Sequence, residues 1–533
     1  MPQTTHIPRA PLPLTFAAIL ILAVMALPLV YLSIRTVGVG LDALPLLLSN
    51  RTGSALVNTM VLAFLVTSIS AFIAVPLAFI TVRTDIPGRR FFSVTTALPL
   101  VIPSYVGSFV VISAIGPRGS IVQNWLAPFG IEQLPSIYGW SGTVMVLSLF
   151  TYPYILLIVR SSLRNLDPRI DDASRTLGYS QRRTFFKVTL PHLRPSIAAG
   201  GLLVALYTMS DFGTPALMRF DSITRIIYLQ YQSSFDRNLA AVLSLVLVAV
   251  ATAILVLEQS ARRRIRYYNT SPGSRRNIQS IRLGKWRWPA VFLCISITVV
   301  ALVLPIGTIT YWLLRGLAAG ESLLPLSQIT FNSVYISSLA TVLIIAAAFP
   351  VAVLAVRYPS ALSNLAERGT YLGFAMPGIV VALALVFFGA NFAPALYQTL
   401  PLLIFAYMVL LIPLAVGPIR SSLLQINPRT EEAARSLGRT SQQTLRSITV
   451  PLIRPGIIGG AALVFLTAMR ELPATLLLAP IGFNTLATRI WSTTNDVFFA
   501  QAAAPSLVLV GVSSIALFLI LSQEDRYRGA INQ

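Results

Sequence analysis

The sequence is poor in the side chains that usually carry chemistry. It holds one cysteine, Cys294, and two histidines, His6 and His192, in 533 residues. One thiol excludes an internal disulfide and a thiolate metal cluster, and two distant histidines match no zinc spacing. Charged residues make up only 11 %, against about 25 % in a soluble domain. Too little polar surface is left to cover a core in water. No GxxxxGK[ST] phosphate loop occurs, so no nucleotide cofactor is expected in this chain. No Ser/His/Asp arrangement points to an enzyme. A soluble enzyme, a disordered chain and a nucleic-acid reader are excluded.

What is present is apolar: 55 % of residues are hydrophobic and mean hydropathy is +0.75. Runs long enough to cross a bilayer lie at 14–34, 57–82, 92–115, 138–159, 196–214 and 239–258, then at 288–314, 333–356, 371–389, 400–418, 456–469 and 502–521. The expectation is an all-α polytopic membrane protein of about twelve spans. Barrel strands would be shorter and alternating.

The basic excess follows the topology. Net charge is +22. With the N-terminus inside, the alternate segments 1–13, 83–91, 160–195, 259–287, 357–370, 420–455 and 522–533 hold 31 of the 40 Lys and Arg. Basic residues concentrate in cytoplasmic loops, so N-in, C-in is expected, and no nucleic-acid partner is needed to explain the charge.

A repeat organises the chain. Residues 160–200 and 420–460 align without a gap at an offset of 260, with 17 of 41 positions identical, among them Pro168/Pro428, Ala173/Ala433, Arg175/Arg435, Gly178/Gly438 and Pro191/Pro451. Asp211 and Glu471 share that offset; Asn58/Asn332, Pro76/Pro350 and Arg83/Arg357 share an offset of 274. Two parallel six-helix repeats are expected, 1–258 and 289–533, joined by a basic linker at 259–288.

Each loop, 160–195 and 420–455, has one plan. Asp167-Pro168 and Asn427-Pro428 read as a cap followed by a first-turn proline. Asp171 and Asp172, or Glu431 and Glu432, suit the positive helix end. Gly178 and Gly438 fit a positive-φ stop. Second short helices are expected at 180–189 and 440–449, ended by Pro191 and Pro451. A loop of this length, repeated so closely, reads as a docking element for a partner with two equivalent sites.

On Glu431-Glu432-Ala433-Ala434 with Gly438, and Asp171-Asp172-Ala173-Ser174 with Gly178, the loop resembles the EAA motif of binding-protein-dependent ABC importer permeases. The resemblance covers nearly the whole chain and implies the type I (MetI-like) fold. It makes Asp171, Asp172, Ala173, Arg175, Gly178, Glu431, Glu432, Ala433, Arg435 and Gly438 the coupling residues. It implies two copies of a cytoplasmic ATPase subunit that binds the ATP, an external or periplasmic solute-binding protein, and a bacterial inner-membrane location among lipid. The stretch Glu471-Leu472-Pro473-Ala474-Thr475, continuing to Thr485 and Trp491, and the stretch 227–241 are similar to fused ferric-iron permeases. Thiamine, phosphonate or sulphate are alternative cargoes, and a secondary transporter is a remote one.

For the path, Asp211 and Glu471 follow the fifth span of each half, with Tyr207, Met209 and Arg470 nearby. Acids near a membrane path are costly and hence functional candidates; the competing reading is a contact between repeats. No metal-ligand spacing is present. Segments 35–56, 116–137, 218–238 and 470–501 are the expected outer docking surface. Cys294 reads as buried packing, and Pro76 and Pro350 as kinks within spans.

Overall fold

The computed structural model describes residues 10–40, 45, 49–166, 174, 176–233, 238–263, 281–321 and 326–531. Among them every regular element is helical, and the only extended pairing is an isolated bridge between Thr84 and Ile281. A helix satisfies its own backbone, which hydrocarbon cannot do. Nine described helices are long and apolar enough to cross a membrane, beginning with Leu12–Val39 and Asn50–Arg83 and ending with Phe499–Phe518. Arg89–Val101 and Ser104–Ile115 form a pair bent by 94° that makes a tenth span if counted as one. The expected runs at 196–214 and 371–389 fall on Leu190–Ser210 and on the shorter Gly378–Phe392.

The element order of the first half recurs in the second. Leu190–Ser210 and Val450–Met469 correspond, as do the outer helices Ile223–Ser233 and Leu486–Asn495. Each outer helix is pinned by the second span of its half. Thr59 Oγ1 accepts from the Ile223 amide at 3.0 Å, and Ser333 Oγ accepts from the Leu486 amide at 2.7 Å. Asn58 and Asn332, paired by the 274 offset, lie inside Asn50–Arg83 and Leu326–Arg357 and donate to the carbonyls of Asp221 (3.3 Å) and Asn484 (3.0 Å).

The expected stops at Pro191 and Pro451 do not occur. Phe185–Thr189 and Leu445–Thr449 are π-helical turns, and each leads directly into the next helix, Leu190–Ser210 or Val450–Met469. Proline breaks an α-helix because it lacks the N–H and its ring crowds the carbonyl four residues back. Here the preceding turn is widened by one residue, so the amides of Leu190 and Val450 bond five residues back, to Phe185 and Leu445. The proline enters on that wider turn, and the loop is welded to the span.

The first helix of each half packs on the last helix of its own half and reaches across to the other half. Leu12–Val39 packs on Leu326–Arg357, Ala361–Thr370 and Gly378–Phe392 of the second half. Tyr31 meets the rings of Phe388 and Phe392 edge-on at 6.2 and 5.9 Å, and the Arg35 guanidinium lies 5.6 Å from the Phe387 ring. In return, the Leu304–Ala318 helix packs on Ser104–Ile115, and Thr298 approaches Thr95 at 3.4 Å. The two halves of the sequence are therefore interlocked.

The linker is shorter than expected at both ends. Asn238–Arg263 runs into it, and residues 264–280 lie outside the described residues. The Ile281 amide donates to Arg83 O at 2.7 Å, and the Leu283 amide donates to Asp85 Oδ1 at 3.0 Å. Its end is thus docked on the second span.

Candidate functional site

The second coupling loop forms as its residues dictate. Asn427 Oδ1 accepts from the Arg429 amide at 3.1 Å, and Pro428 opens the Pro428–Ser436 helix. Gly438 ends the turn at φ 86°, and Gly178 takes φ 78° in the first copy. Glu432, Ala433 and Arg435 are exposed and Ala434 is buried. Leu437 and its counterpart Leu177 are 86 % and 77 % exposed. Large apolar side chains held out this far suit a covered, docked surface. Asp171, Asp172, Ala173 and Arg175 lie outside the described residues.

Glu431 faces inward. Its Oε1 accepts from Arg357 Nε (3.2 Å), Arg357 Nη2 (3.0 Å) and Thr449 Oγ1 (3.0 Å). One carboxylate therefore joins the end of the second span, the coupling helix and the π turn that starts the fifth span. The Arg357 and Glu431 side chains are 14 % and 13 % exposed. Arg83, matching Arg357, is buried in the first half. The first residue of each loop is also tied to the element before the third span: Arg160 donates to Ser93 O at 2.6 Å, and Arg420 pairs with Glu367 at 2.9 Å.

The second candidate site lies between the halves. Ser104 Oγ donates to Asp211 Oδ1 at 2.6 Å, and the Thr214 amide donates to Oδ2 at 3.0 Å. Tyr207 Oη donates to Ser104 Oγ at 3.3 Å. Across the seam, Glu471 Oε1 accepts from the Ala474 amide at 3.3 Å. Tyr407 and Thr475 share a hydrogen bond of 2.6 Å, and Thr475 Oγ1 donates to Glu471 O, also at 2.6 Å. Neither carboxylate has an ion-pair partner among the described residues. Arg470 instead crosses the seam to donate to Leu100 O at 2.6 Å. Asp211, Glu471 and Tyr207 are half-buried, whereas Met209 is 1 % exposed and belongs to the packing.

Three contributors escaped sequence reasoning. Tyr105 is buried, and its hydroxyl has no hydrogen-bond partner among the described residues. Ser104 and Gly378 stand at matching positions, 274 apart. A Cβ added at Gly378 would lie 2.6 Å from Glu471 Oε1. The first half thus uses a short acid with a serine, and the second a longer acid over a glycine. The 274 offset, already marked by Pro76/Pro350, was the signal that could have exposed the swap.

Gly378→Ala should push the Glu471 carboxylate aside without unfolding the chain, because the flexible end of a side chain yields first. Transport should fall roughly tenfold, within the range of pairwise couplings. Gly378→Ser combined with Glu471→Asp, which copies the first half, should recover most of it; transport assays on the single and double variants check both expectations.

The repeated loops and the acidic residues at the seam stand on a duplicated, apolar helical unit, and the relatives of the chain give its class. The chain belongs to the family of binding-protein-dependent transport system inner membrane components, which it matches twice, at residues 70–267 and 324–528. It is an ABC importer permease and a multi-pass membrane protein.

Among its relatives is the Fe(3+)-transport system permease protein FbpB 2 of Haemophilus influenzae, 35 % identical over 518 residues, which cover 96 % of this chain and 98 % of that one. The ferric transport system permease protein FbpB of Actinobacillus pleuropneumoniae is 25 % identical over 466 residues, 83 % of this chain and 67 % of that one. The molybdenum transport system permease protein ModB of Escherichia coli is 27 % identical over 214 residues, 38 % of this chain and 91 % of that one. A chain of the bacterial alginate ABC transporter, solved with an alginate pentasaccharide-bound periplasmic protein, is 18 % identical with a TM-score of 0.38, covering 44 % of this chain and 88 % of that one.

Proposed function

We propose that this permease carries ferric iron across a bacterial inner membrane, with both termini cytoplasmic. An external binding protein delivers the iron, and two copies of a separate ATPase subunit drive the cycle. The chain itself performs no chemistry on a substrate. The observation that carries the cargo is the Asp211/Glu471 pair. Two half-buried carboxylates without an ion-pair partner among the described residues, with the Ser104 hydroxyl on Asp211 and the Tyr207 hydroxyl on Ser104, form an oxygen-rich, acidic surround. That suits a hard trivalent cation and repels an oxyanion. The ferric relatives, one matched over 96 % of the chain, support the same cargo.

ATP closure of the ATPase pair would draw the two loops together. The Glu431 clamp passes that movement to the spans, and the interlocked halves rock around the acidic pair.

The cargo is tested by ATP hydrolysis in the assembled complex. Binding protein loaded with ferric ion should stimulate hydrolysis severalfold, and the same assay with a molybdate-, sulfate- or thiamine-loaded binding protein should give the basal rate. Stimulation by one of those alone would replace iron with that cargo and leave the architecture intact.

A further inference from the structure

Beside the first coupling loop lies a basic, aromatic cluster. Arg182 of the Gln181–Thr184 helix lies over Trp286, 5.3 Å from its ring centroid. Trp286 ends the short Gly284–Trp286 turn that runs into the Arg287–Thr298 helix, and that helix packs on Arg89–Thr95. Arg90, Arg182, Lys285 and Arg287 are exposed, and so are Trp286 and Trp288. None of the four cations has an ion-pair partner among the described residues. Asp85, the acid beside them in the chain, accepts instead from the Leu283 amide at 3.0 Å.

The general charge bias of membrane loops does not account for it, because both halves obey that bias and only one carries the cluster. Residues 282–288 hold three Lys or Arg and two Trp; their counterparts at the 274 offset, 8–14, hold Arg9 alone. Arg90 is matched by Asn364, and Arg182 by Gln442 at the 260 offset. The basic head also continues into an apolar face. Trp288, Phe292, Ile295 and Val299 are exposed at spacings of four, three and four, which is one stripe of a helix. A guanidinium over an indole keeps its N–H edge for a phosphate oxygen. Cations at the head of an uncovered apolar stripe match one chemistry, a phosphate carried on acyl chains.

We propose that this patch binds the headgroup of an anionic phospholipid, and that the site exists in the first half alone. Arg90, Lys285 and Arg287 supply the charge, and Trp288 and Phe292 run along the acyl chains. Arg182, over Trp286, connects the headgroup to the first coupling loop. A bound lipid therefore touches the loop of one half only, which makes the two loops unequal in their dependence on the membrane. The proposal rests on the chain's place in a bilayer and is independent of its cargo.

The test places the full complex in phosphatidylcholine nanodiscs that contain a minor fraction of brominated phosphatidylglycerol or, in the parallel arm, brominated phosphatidylcholine. Quenching is read on the emission that Trp286→Phe/Trp288→Phe removes. The anionic quencher should bind at least about tenfold more strongly than the choline lipid, and the preference should shrink as salt rises. Arg90→Gln/Lys285→Gln/Arg287→Gln should abolish the preference, Arg90→Lys/Arg287→Lys should retain it, and Arg368→Gln, at an exposed cation of the second half, should leave it unchanged. Equal quenching by the two lipids in the unaltered complex, or a preference that survives the triple substitution, would overturn the site. Size-exclusion chromatography reads assembly in parallel: a triple variant that sheds the ATPase while keeping its lipid preference would make the patch a protein contact and overturn the lipid site.

Discussion

Replacing Asp211 with Asn and Glu471 with Gln together should reduce ferric-ion transport by at least about 100-fold. A hydrogen bond to a charged group contributes about 1.5–3 kcal/mol, and each 1.36 kcal/mol of barrier is a factor of ten. Two such losses bracket the expected effect. Both substitutions keep size: the Thr214 and Ala474 amides, which now donate to these carboxylates, keep an amide oxygen as acceptor, and the Ser104 hydroxyl, which now donates to the other Asp211 oxygen, can turn to accept from the new NH2. The single variants should each show a partial loss. Transport by the double variant at the unaltered rate would remove the pair from the path and make it a contact between repeats.

Glu431→Ala should separate ATP hydrolysis from transport. Removing one partner of a buried ion pair costs about 3–5 kcal/mol, because the other charge is left unpaired. With Arg357 14 % exposed, some solvent relief brings the expected loss nearer the lower figure. Arg357 would keep only a 3.4 Å bond to Ile426 O, and Thr449 would lose its tie to the coupling helix. Hydrolysis should continue while iron movement per ATP falls severalfold. Arg357→Leu with Glu431→Leu should recover thermal stability, since an apolar pair avoids the desolvation penalty, yet should not recover tight coupling to Thr449. Transport and hydrolysis measured on the same proteoliposomes separate these outcomes.

Sequence reasoning reached the duplicated plan and the second coupling loop because both rest on local rules. Asn427 caps, Pro428 opens the helix and Gly438 takes positive φ, as their chemistry requires. The reach of the first helices across to the other half was not legible. In lipid there is no hydrophobic drive to choose one apolar neighbour over another, so Tyr31 gives no hint that its partners are Phe388 and Phe392. The continuity through Pro191 and Pro451 was hidden for another reason. A π turn is a backbone property with no residue signature, and it suspends the rule that proline ends a helix. Asp211 and Glu471 were visible as a pair, but Ser104 and Gly378 are ordinary residues in a span. Their meaning emerges only once Ser104 is seen to donate a hydrogen bond to Asp211, and Gly378 to leave room for the Glu471 carboxylate. Glu431 was read as part of a docking surface, and its inward clamp on Arg357 needed coordinates to see.

The most direct measurement is radiolabelled ferric-ion flux into proteoliposomes holding this chain, its ATPase and loaded binding protein, with ATP or a non-hydrolysable analogue on the ATPase side. Accumulation against a gradient with ATP, and none with the analogue, is the expected result. Accumulation that proceeds equally without hydrolysis, driven by an ion gradient, would contradict an ATP-driven permease.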